Sequence, residues 1–280
     1  MTVAVIGAGT MGNGIAHCFA QYGFPVILVD NQAIALEKAI STIEKNLQRQ
    51  AAKNTISESD IQLILNRIQT QTTIDNTLQN CDLVIEAVSE KLPIKQEIIQ
   101  QINSVVSPNC MIASNTSSIS ITLLAQQCSQ PQNFIGMHFM NPVPVMQLVE
   151  VIKGHHTSIS CVENILNICK NLQKTPIVVN DYPGFIANRI LMPMINEAIY
   201  AVYEGVAEVE AIDQIMKLGM AHPMGPLQLA DFIGLDVCLS ILKVLHDGFG
   251  NPKYAPCPLL VNLVNAGCLG KKTGKGFYSY

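Results

Sequence analysis

The sequence predicts an α/β fold, with a doubly wound and largely parallel sheet, followed by a second domain made only of helices. Short β-branched runs alternate with helical stretches in the first part of the chain, and a glycine-rich turn follows the first strand. From the segment YPGFIANRI onward only the 3.6-residue periodicity of helices remains. We therefore expect one domain over residues 1–181 and a second over residues 182–280, with the boundary between Asn180 and Pro183.

The first segment, TVAVIGAGTMGNGIAHCFAQYGFPVILVD, has the pattern of strand, helix and strand. Gly7, Gly9 and Gly12 fit the pattern G-x-G-x-x-G at its first turn. A dinucleotide site needs these glycines for a sharp bend, for close approach of the pyrophosphate and for helix packing, and the helix N-terminus then attracts phosphate. Glycine turns that serve only packing share the pattern, but the flanking strands favour a Rossmann-like nucleotide site.

Asp30 ends the second strand. A carboxylate at this position accepts hydrogen bonds from the ribose hydroxyls of the adenosine half and repels a 2′-phosphate. No Arg or Lys follows in the segment DNQA that would receive such a phosphate. The sequence therefore predicts NAD rather than NADP as the cofactor.

A long helical insert, residues 31–67, separates the second strand from the third. Four apolar residues recur at helical spacing in its first half: Leu36, Ile40, Ile43 and Leu47. Residues 57–60, SESD, form a capping-box pattern that opens a second helix. Lys45, Arg49 and Lys53 fall four apart, so they line one side of the first helix, either as a solvated basic face or as a phosphate contact.

Six further runs predict the remaining strands: RIQTQTTI, CDLVIEA, CMIAS, FIGMHF, MQLVEVI and TPIVVN. In doubly wound sheets the ligand binds beyond the carboxyl ends of the strands. Several polar groups follow strands in this way, namely Glu86 with Glu90, the segment SNTSS, and His138 with Asn141. We expect these groups to face the cofactor crevice.

The C-terminal part predicts four helices, in YPGFIANRILMPMINEAIYAVYEG, VEAIDQIMKLG, PLQLADFIGLDVCLSILKVL and CPLLVNLVNAG. A tail rich in Gly and Lys, GKKTGKGFYSY, follows them. The tail is similar to a phosphate-binding P-loop only in composition, because the pattern G-x-x-x-x-G-K-[ST] is absent.

Composition excludes several classes of protein. A net charge of −4 provides no basic excess for nucleic acid. Charged residues make up only 14%, so we expect an apolar surface buried in a homodimer. The nine cysteines show neither C-x-x-C nor zinc spacing and are interpreted as reduced thiols, with no metal site.

The first 29 residues lack Asp, Glu, Lys and Arg, but five glycines interrupt the apolar run and no basic segment precedes it. We therefore expect neither a signal peptide nor a membrane span, and a soluble, cytoplasmic protein.

In the segment FIGMHFMNPVPVMQLVE only His138 and Glu150 can carry a charge. A lone histidine in an apolar run is more often a satisfied core residue than a catalyst. Here, however, it ends a predicted strand at the crevice, and the NPVP turn lets the next strand bring Glu150 alongside it. Such a carboxylate fixes the imidazole tautomer for proton transfer. Two alternatives remain: a hydrolase triad with Ser117, whose chain order does not match the α/β-hydrolases, and a non-catalytic NAD-binding sensor or structural protein.

Six motifs closely resemble the L-3-hydroxyacyl-CoA dehydrogenase family and together cover essentially the whole chain. They are, in order, GAGTMGNGIA, ASNTSSISIT, GMHFMNPVPVMQLVEVI, PGFIANRILMPMINEA, HPMGPLQLADFIGLD and GKKTGKGFYSY. The last five are far more specific than the glycine pattern. The similarity is greatest to the short, single-function bacterial members that act on 3-hydroxybutyryl-CoA.

The resemblance implies NAD-linked interconversion of (S)-3-hydroxyacyl-CoA and 3-ketoacyl-CoA. It implies that His138 is the general acid/base, that Glu150 orients it, and that Ser117 and Asn188 hydrogen-bond the reacting oxygens of the acyl-CoA substrate. The residues implied on the cofactor side are Gly7, Ala8, Gly9, Thr10, Met11, Gly12, Asp30, Glu90, Lys95, Ser117, Asn141 and Lys272.

The resemblance also gives the helical insert a purpose, since in the family this arm helps to hold coenzyme A. Asn46 and Lys53 match its contacts, whereas Lys45 and Arg49 stay undecided. The C-terminal helical domain is expected to form the homodimer interface. Plainer interpretations exist for single residues, with Ser117 as a helix cap, Asn188 as an ordinary polar residue near a helix start, Lys95 as a surface helix residue and Lys272 as part of a mobile tail.

Overall fold

The computed structural model describes residues 1–280, which form two compact units, Met1–Asp181 and Tyr182–Tyr280. Unit 1 contains eight strands: β1 (Val3–Ile6), β2 (Val26–Val29), β3 (Ile68–Gln71), β4 (Leu83–Glu86), β5 (Met111–Ser114), β6 (Phe134–Phe139), β7 (Leu148–Lys153) and β8 (Thr175–Asn180). Its helices are α1 (Thr10–Gln21), α2 (Ala33–Ala52), α3 (Glu58–Leu65), α4 (Leu92–Val105), α5 (Ile121–Ala125) and α6 (Ile159–Asn171).

The strands form one sheet in the order β3-β2-β1-β4-β5-β6-β7-β8. Every neighbouring pair is parallel except β6 and β7, which are antiparallel. The strand order reverses direction at β1, and in such sheets the ligand crevice opens at this switch point, beyond the carboxyl ends of β1 and β4. The predicted doubly wound sheet is confirmed.

The helical insert consists of α2 and α3, which pack on each other and on α1. The buried face of α2 comprises Leu36, Ala39, Ile43 and Leu47. The stripe expected from the sequence had Ile40 in place of Ala39; Ile40 is only half-buried, because the helix turns its small alanine toward the core. The capping box is confirmed, since Ser57 N–H donates to Asp60 Oδ2 at 2.9 Å.

Polar side chains tie α2 to α1. Gln21 Nε2 donates to Gln50 Oε1 at 2.8 Å, and Gln50 Nε2 lies 3.4 Å from His17 Nε2. His17 is fully buried, and desolvation lowers its pKa to about 4. The ring is therefore neutral, and its Nε2 accepts the Gln50 amide proton. These contacts hold α2 of the insert against α1.

Unit 2 contains five α-helices: α7 (Ala187–Tyr203), α8 (Val209–Gly219), α9 (Pro226–Ile233), α10 (Leu235–Phe249) and α11 (Pro258–Asn265). The prediction of one continuous helix through PLQLADFIGLDVCLSILKVL is wrong, because Gly234 separates α9 from α10 with φ of +104°. An added Cβ at Gly234 would lie 3.0 Å from Asp236 Oδ1 and 3.1 Å from Lys272 Nζ. Only glycine suits both that backbone conformation and those neighbours.

The C-terminal tail is held in place rather than mobile. Asp231 is 1% exposed and accepts hydrogen bonds from the N–H groups of Phe277 and Tyr278, at 3.0 and 2.9 Å. The Tyr278 hydroxyl donates to the buried Asp213 at 2.9 Å. Two buried carboxylates therefore anchor the segment that carries Lys272.

Two further sequence expectations concern the whole chain. All nine cysteines are free thiols, as expected. None of the helices combines the length and apolar character that crossing a bilayer requires.

Candidate active site

The glycine turn has the geometry that a dinucleotide needs. Gly7 adopts φ of +105°, which favours glycine. A Cβ on Gly12 would lie only 1.7 Å from the Gly7 carbonyl oxygen, so α1 can approach the turn only with glycine there. At Gly9 an added Cβ would meet nothing within 4 Å, so the turn is open to a ligand at its centre.

Asp30 braces this turn from the end of β2. Its Oδ2 accepts the Ala8 N–H at 2.8 Å, and its Oδ1 accepts the Gln32 N–H at 3.0 Å. Asp30 also lines a cavity of about 860 Å³, together with Gly7, Gly9 and a second carboxylate, Glu97. No Lys or Arg lines this cavity, so it suits the ribose hydroxyls of NAD and disfavours a 2′-phosphate.

A buried lysine lies beyond the carboxyl end of β4. Lys95 is 1% exposed, which makes the interpretation as a surface helix residue wrong. Its Nζ donates to Glu86 Oε1 at 2.7 Å and lies 3.3 Å from both the Val88 carbonyl oxygen and Glu90 Oε2. A charge so deeply buried needs partners of this kind. The expected contact between Lys95 and NAD stays a prediction, and the structure shows Lys95 as the partner of both glutamates.

Glu90 organises the loop that contains Ser117. Its Oε1 accepts hydrogen bonds from the Thr116 hydroxyl at 2.6 Å and from Ser117 N–H and Oγ at 2.9 and 3.2 Å. Burial alone would raise the pKa of Glu90, but the Lys95 ammonium and these donors outweigh it and lower the pKa. The interpretation of Ser117 as a helix cap is wrong, since Ser120 Oγ accepts the Leu123 N–H at the start of α5.

His138 and Glu150 lie directly opposite each other in the antiparallel ladder of β6 and β7. Both side chains are buried, and His138 Nδ1 lies 2.8 Å from Glu150 Oε2. A carboxylate can only accept in its ionised form, so Nδ1 is the donor in this pair. The predicted pairing of these side chains is confirmed.

A second cavity, of about 420 Å³, lies between the glycine turn, α2 and the loop after β6. Five predicted site residues line it: Ala8, Gly9, Thr10, Asn46 and Asn141. Met11 belongs to the first turn of α1 and packs against the core. Lys53 immediately follows the end of α2 and is exposed, while Arg49 Nη1 donates to Asn46 Oδ1 at 3.3 Å.

Two predicted site residues belong to unit 2. Asn188 is buried in the first turn of α7. Lys272 lies in a 3₁₀ turn, Lys271–Thr273, and its Nζ pairs with Asp236 Oδ1. Both pair members are partly exposed, so this ion pair contributes little stability.

Comparison with known proteins agrees with this geometry. Residues 2–182 match the family profile described as 3-hydroxyacyl-CoA dehydrogenase, NAD binding domain, and residues 184–280 match that of the C-terminal domain. The chain belongs to the 3-hydroxyacyl-CoA dehydrogenase family. The predicted family and the predicted cofactor, NAD, are thereby confirmed.

Relatives within the family are similar over their full length. The chain is 54% identical to 3-hydroxybutyryl-CoA dehydrogenase of Bradyrhizobium diazoefficiens, over 99% of this chain and 94% of that protein. It is 51% identical to a probable 3-hydroxybutyryl-CoA dehydrogenase of Bacillus subtilis, over 99% and 96%. The crystal structure of (S)-3-hydroxybutyryl-CoA dehydrogenase from Ralstonia eutropha has a TM-score of 0.97 and 49% identity, and it covers 100% of this chain and 98% of its own.

Sequence reasoning missed how closely the site is supported by buried charges. Glu86 was expected at the crevice, yet it is fully buried and holds Lys95 and the Ser114 hydroxyl, the latter at 2.6 Å. The sequence signal was present in part, because Glu86 ends an apolar strand nine residues before Lys95. Their contact depends on how α4 returns to the sheet, which no local pattern reveals.

Proposed function

We propose that this protein catalyses the reversible, NAD-linked interconversion of (S)-3-hydroxyacyl-CoA and 3-ketoacyl-CoA, with short acyl chains such as 3-hydroxybutyryl-CoA favoured. The observation that carries the proposal is the buried pair of His138 and Glu150 in a chain that contains an NAD-binding domain. The names of full-length relatives support the short-chain preference.

The cofactor fits the residues present, since the glycine turn is open at Gly9 and Asp30 lines the adjoining cavity. When bound, NAD supplies the hydride acceptor or donor for the substrate carbon. Gly7 to Gly12 and Asp30 would hold it, with Glu90, Lys95, Ser117, Asn141 and Lys272 as further predicted contacts.

His138 moves the accompanying proton. In alcohol oxidation its neutral Nε2 takes the hydroxyl proton, and in ketone reduction the imidazolium returns that proton to the oxygen. Glu150 stabilises the imidazolium and keeps the ring in the required tautomer. General acid–base catalysis of this type contributes about 10²- to 10⁴-fold to the rate. Ser117 and Asn188 hydrogen-bond the reacting oxygens in this proposal.

The helical insert binds the coenzyme A part of the substrate. Asn46 lines the smaller cavity, and Lys53 is exposed at the end of α2, where a phosphate can reach it. The other two basic residues, Lys45 and Arg49, also lie exposed on α2. We assign neither of them a contact.

The second unit forms a homodimer in this proposal. Three large apolar side chains in or just after α8 lie in solvent, namely Ile215, Leu218 and Met220, and Leu218 is 83% exposed. Several exposed large apolar side chains within one short segment are typical of a protein interface. Sedimentation should show a dimer at micromolar concentration, and Leu218→Glu should shift it toward monomer; a monomeric wild-type protein contradicts the assignment.

Steady-state kinetics test the proposed reaction. We expect reduction of acetoacetyl-CoA with NADH, and lower kcat/KM for longer 3-ketoacyl chains. The efficiency with NADPH should be much lower, because two carboxylates, Asp30 and Glu97, line the ribose cavity and no Lys or Arg does. Absence of turnover with every 3-ketoacyl-CoA contradicts the activity. Equal efficiency with NADPH contradicts the role given to Asp30.

A further inference from the structure

The two cavities beside the glycine turn differ in charge. The larger one contains two carboxylates, Asp30 and Glu97, and no Lys or Arg. The smaller one contains Lys38 as its single charged side chain, with polar groups from Asn13, Thr42 and Asn46 beside it. Gly9 lines both cavities. A ligand that crosses the turn at Gly9 therefore passes from anionic to cationic surroundings.

The position of Lys38 is fixed by the packing of its helix. Lys38, Thr42 and Asn46 follow each other at intervals of four residues, so they lie on one face of α2. The adjoining face, with Leu36 and Ile43, is buried in the core of unit 1. Because core packing sets the rotation of α2 about its axis, the lysine faces the turn for reasons unrelated to its own charge.

Lys38 also lacks a neutralising partner. No carboxylate oxygen lies within 4.0 Å of its ammonium group. The nearby acidic residues of the same helix, Glu37 and Glu44, line a different groove beside β3. By contrast, Lys95 and Lys272 are both paired with carboxylates. The charge of Lys38 is thus available to an anionic ligand.

A cation at Lys38 would complement the glycine turn. Lys38 is the first Lys or Arg of the chain, so neither the turn nor α1 supplies a cation. A pyrophosphate bound there carries two negative charges, which backbone N–H groups and the dipole of α1 offset only in part. Lysine serves as a point charge toward phosphate in many nucleotide sites.

We infer that Lys38 binds the pyrophosphate of NAD from the side of the turn opposite Asp30. The inference rests on the proposed function and adds a role for the helical insert, which then contacts the cofactor as well as coenzyme A. Coenzyme A also carries a pyrophosphate, so the two ligands share the relevant chemistry. The dinucleotide is the source we favour, because Gly9 joins the cavity of Lys38 to the cavity of Asp30.

Binding measurements with three variants test the inference. NADH affinity is measured from the fluorescence of NADH itself, without acyl-CoA. Lys38→Met should raise the Kd for NADH about tenfold at low ionic strength, and Lys38→Arg should restore it to within about threefold. Lys45→Met is the matched control, an exposed lysine of the same helix outside the cavity, and should leave the Kd for NADH unchanged.

Two outcomes overturn the inference. If Lys38→Met raises only the KM for acetoacetyl-CoA, the phosphate contact belongs to coenzyme A and not to the dinucleotide. If neither the Kd for NADH nor this KM changes, the cavity binds no phosphate through Lys38. Failure of the proposed function is distinct from both, since wild-type protein would then not turn over acetoacetyl-CoA with NADH at all.

Discussion

At the scale of single residues, the proposed chemistry depends on a histidine whose two ring nitrogens have different roles. Nδ1 of His138 lies 2.8 Å from Glu150 Oε2, and in the proposed mechanism Nε2 exchanges the proton. The burial of both side chains strengthens their interaction, because little water remains to screen it. Replacing His138 and replacing Glu150 should therefore change the kinetics in different ways.

Replacing His138 removes the proposed proton carrier and leaves the nucleotide site in place. For His138→Gln we expect a fall in turnover of about a hundredfold or more and an unchanged Kd for NADH. Stopped-flow or steady-state reduction of acetoacetyl-CoA measures the first quantity, and NADH fluorescence the second. The matched control is His156→Gln, an exposed histidine in the turn after β7, which should behave as wild type. Near-normal turnover of His138→Gln would remove the proposed role.

Replacing Glu150 changes the pH dependence instead. In the proposed ketone reduction His138 gives a proton to the substrate oxygen, and the Glu150 carboxylate, 2.8 Å from Nδ1, stabilises the imidazolium. Glu150→Gln should therefore change the pH dependence of the reduction rate. Rates across a pH series at saturating NADH measure this, with Glu163→Gln on the exposed side of α6 as control. An unmoved profile would show that the carboxylate does not act on the histidine.

At the scale of elements, the turn between β1 and α1 contains two glycines, Gly9 and Gly12, that are needed for different reasons. Gly12 is needed because the helix passes against the Gly7 carbonyl, whereas Gly9 is needed only if a ligand occupies the open space next to it. Packing and binding can thus be tested at neighbouring positions of one motif.

Alanine at these two positions should give opposite results. Gly12→Ala places a methyl group against backbone and should reduce the free energy of unfolding by about 1–3 kcal/mol. Gly9→Ala should leave that free energy close to the wild-type value and weaken NADH binding. Urea unfolding followed by circular dichroism and NADH titration give the two quantities. Equal stability of both variants would contradict the packing argument.

The sequence predicts those features that depend on a few adjacent residues better than those that depend on distant ones. The turn at Gly7 and the capping box at Ser57 follow from a few adjacent residues, and both were predictable. The register that sets His138 opposite Glu150 follows from one hairpin. The break at Gly234 was not predicted, because a lone glycine in an apolar helical pattern is usually tolerated, and its φ of +104° has no local sequence signal. The burial of Lys95 likewise depends on distant partners, Glu86 and Glu90.

At the scale of the whole molecule, the chain consists of two compact units with separate cores. The first has a buried histidine, His17, on α1, which contacts Gln50 of the helical insert. The second has two buried carboxylates, Asp213 and Asp231, that hold its last residues. Of these groups, His17 has an ionisation that burial ties to folding.

The histidine makes the stability of the first unit dependent on pH. Burial lowers the pKa of His17 to about 4, whereas the unfolded chain has the ordinary value of 6.5. Below pH 6.5 the unfolded state binds the extra proton, so stability falls as the pH decreases toward 4. From pH 7.5 to pH 5 we expect a loss of about 2 kcal/mol from this group. Urea unfolding at both pH values measures it, and His17→Gln should remove most of that difference; an equal slope in the variant contradicts the assignment.

The single antiparallel pairing in the sheet also bears on how the molecule can be rebuilt. Because β6 and β7 form a hairpin, His138 and Glu150 lie only 12 residues apart in the chain, while most other neighbouring strands are joined through long crossovers. Cutting and rejoining the polypeptide at an exposed loop outside residues 134–153 would leave the dyad on one uninterrupted piece. Circularly permuted or split versions of this enzyme can therefore be designed around an intact hairpin.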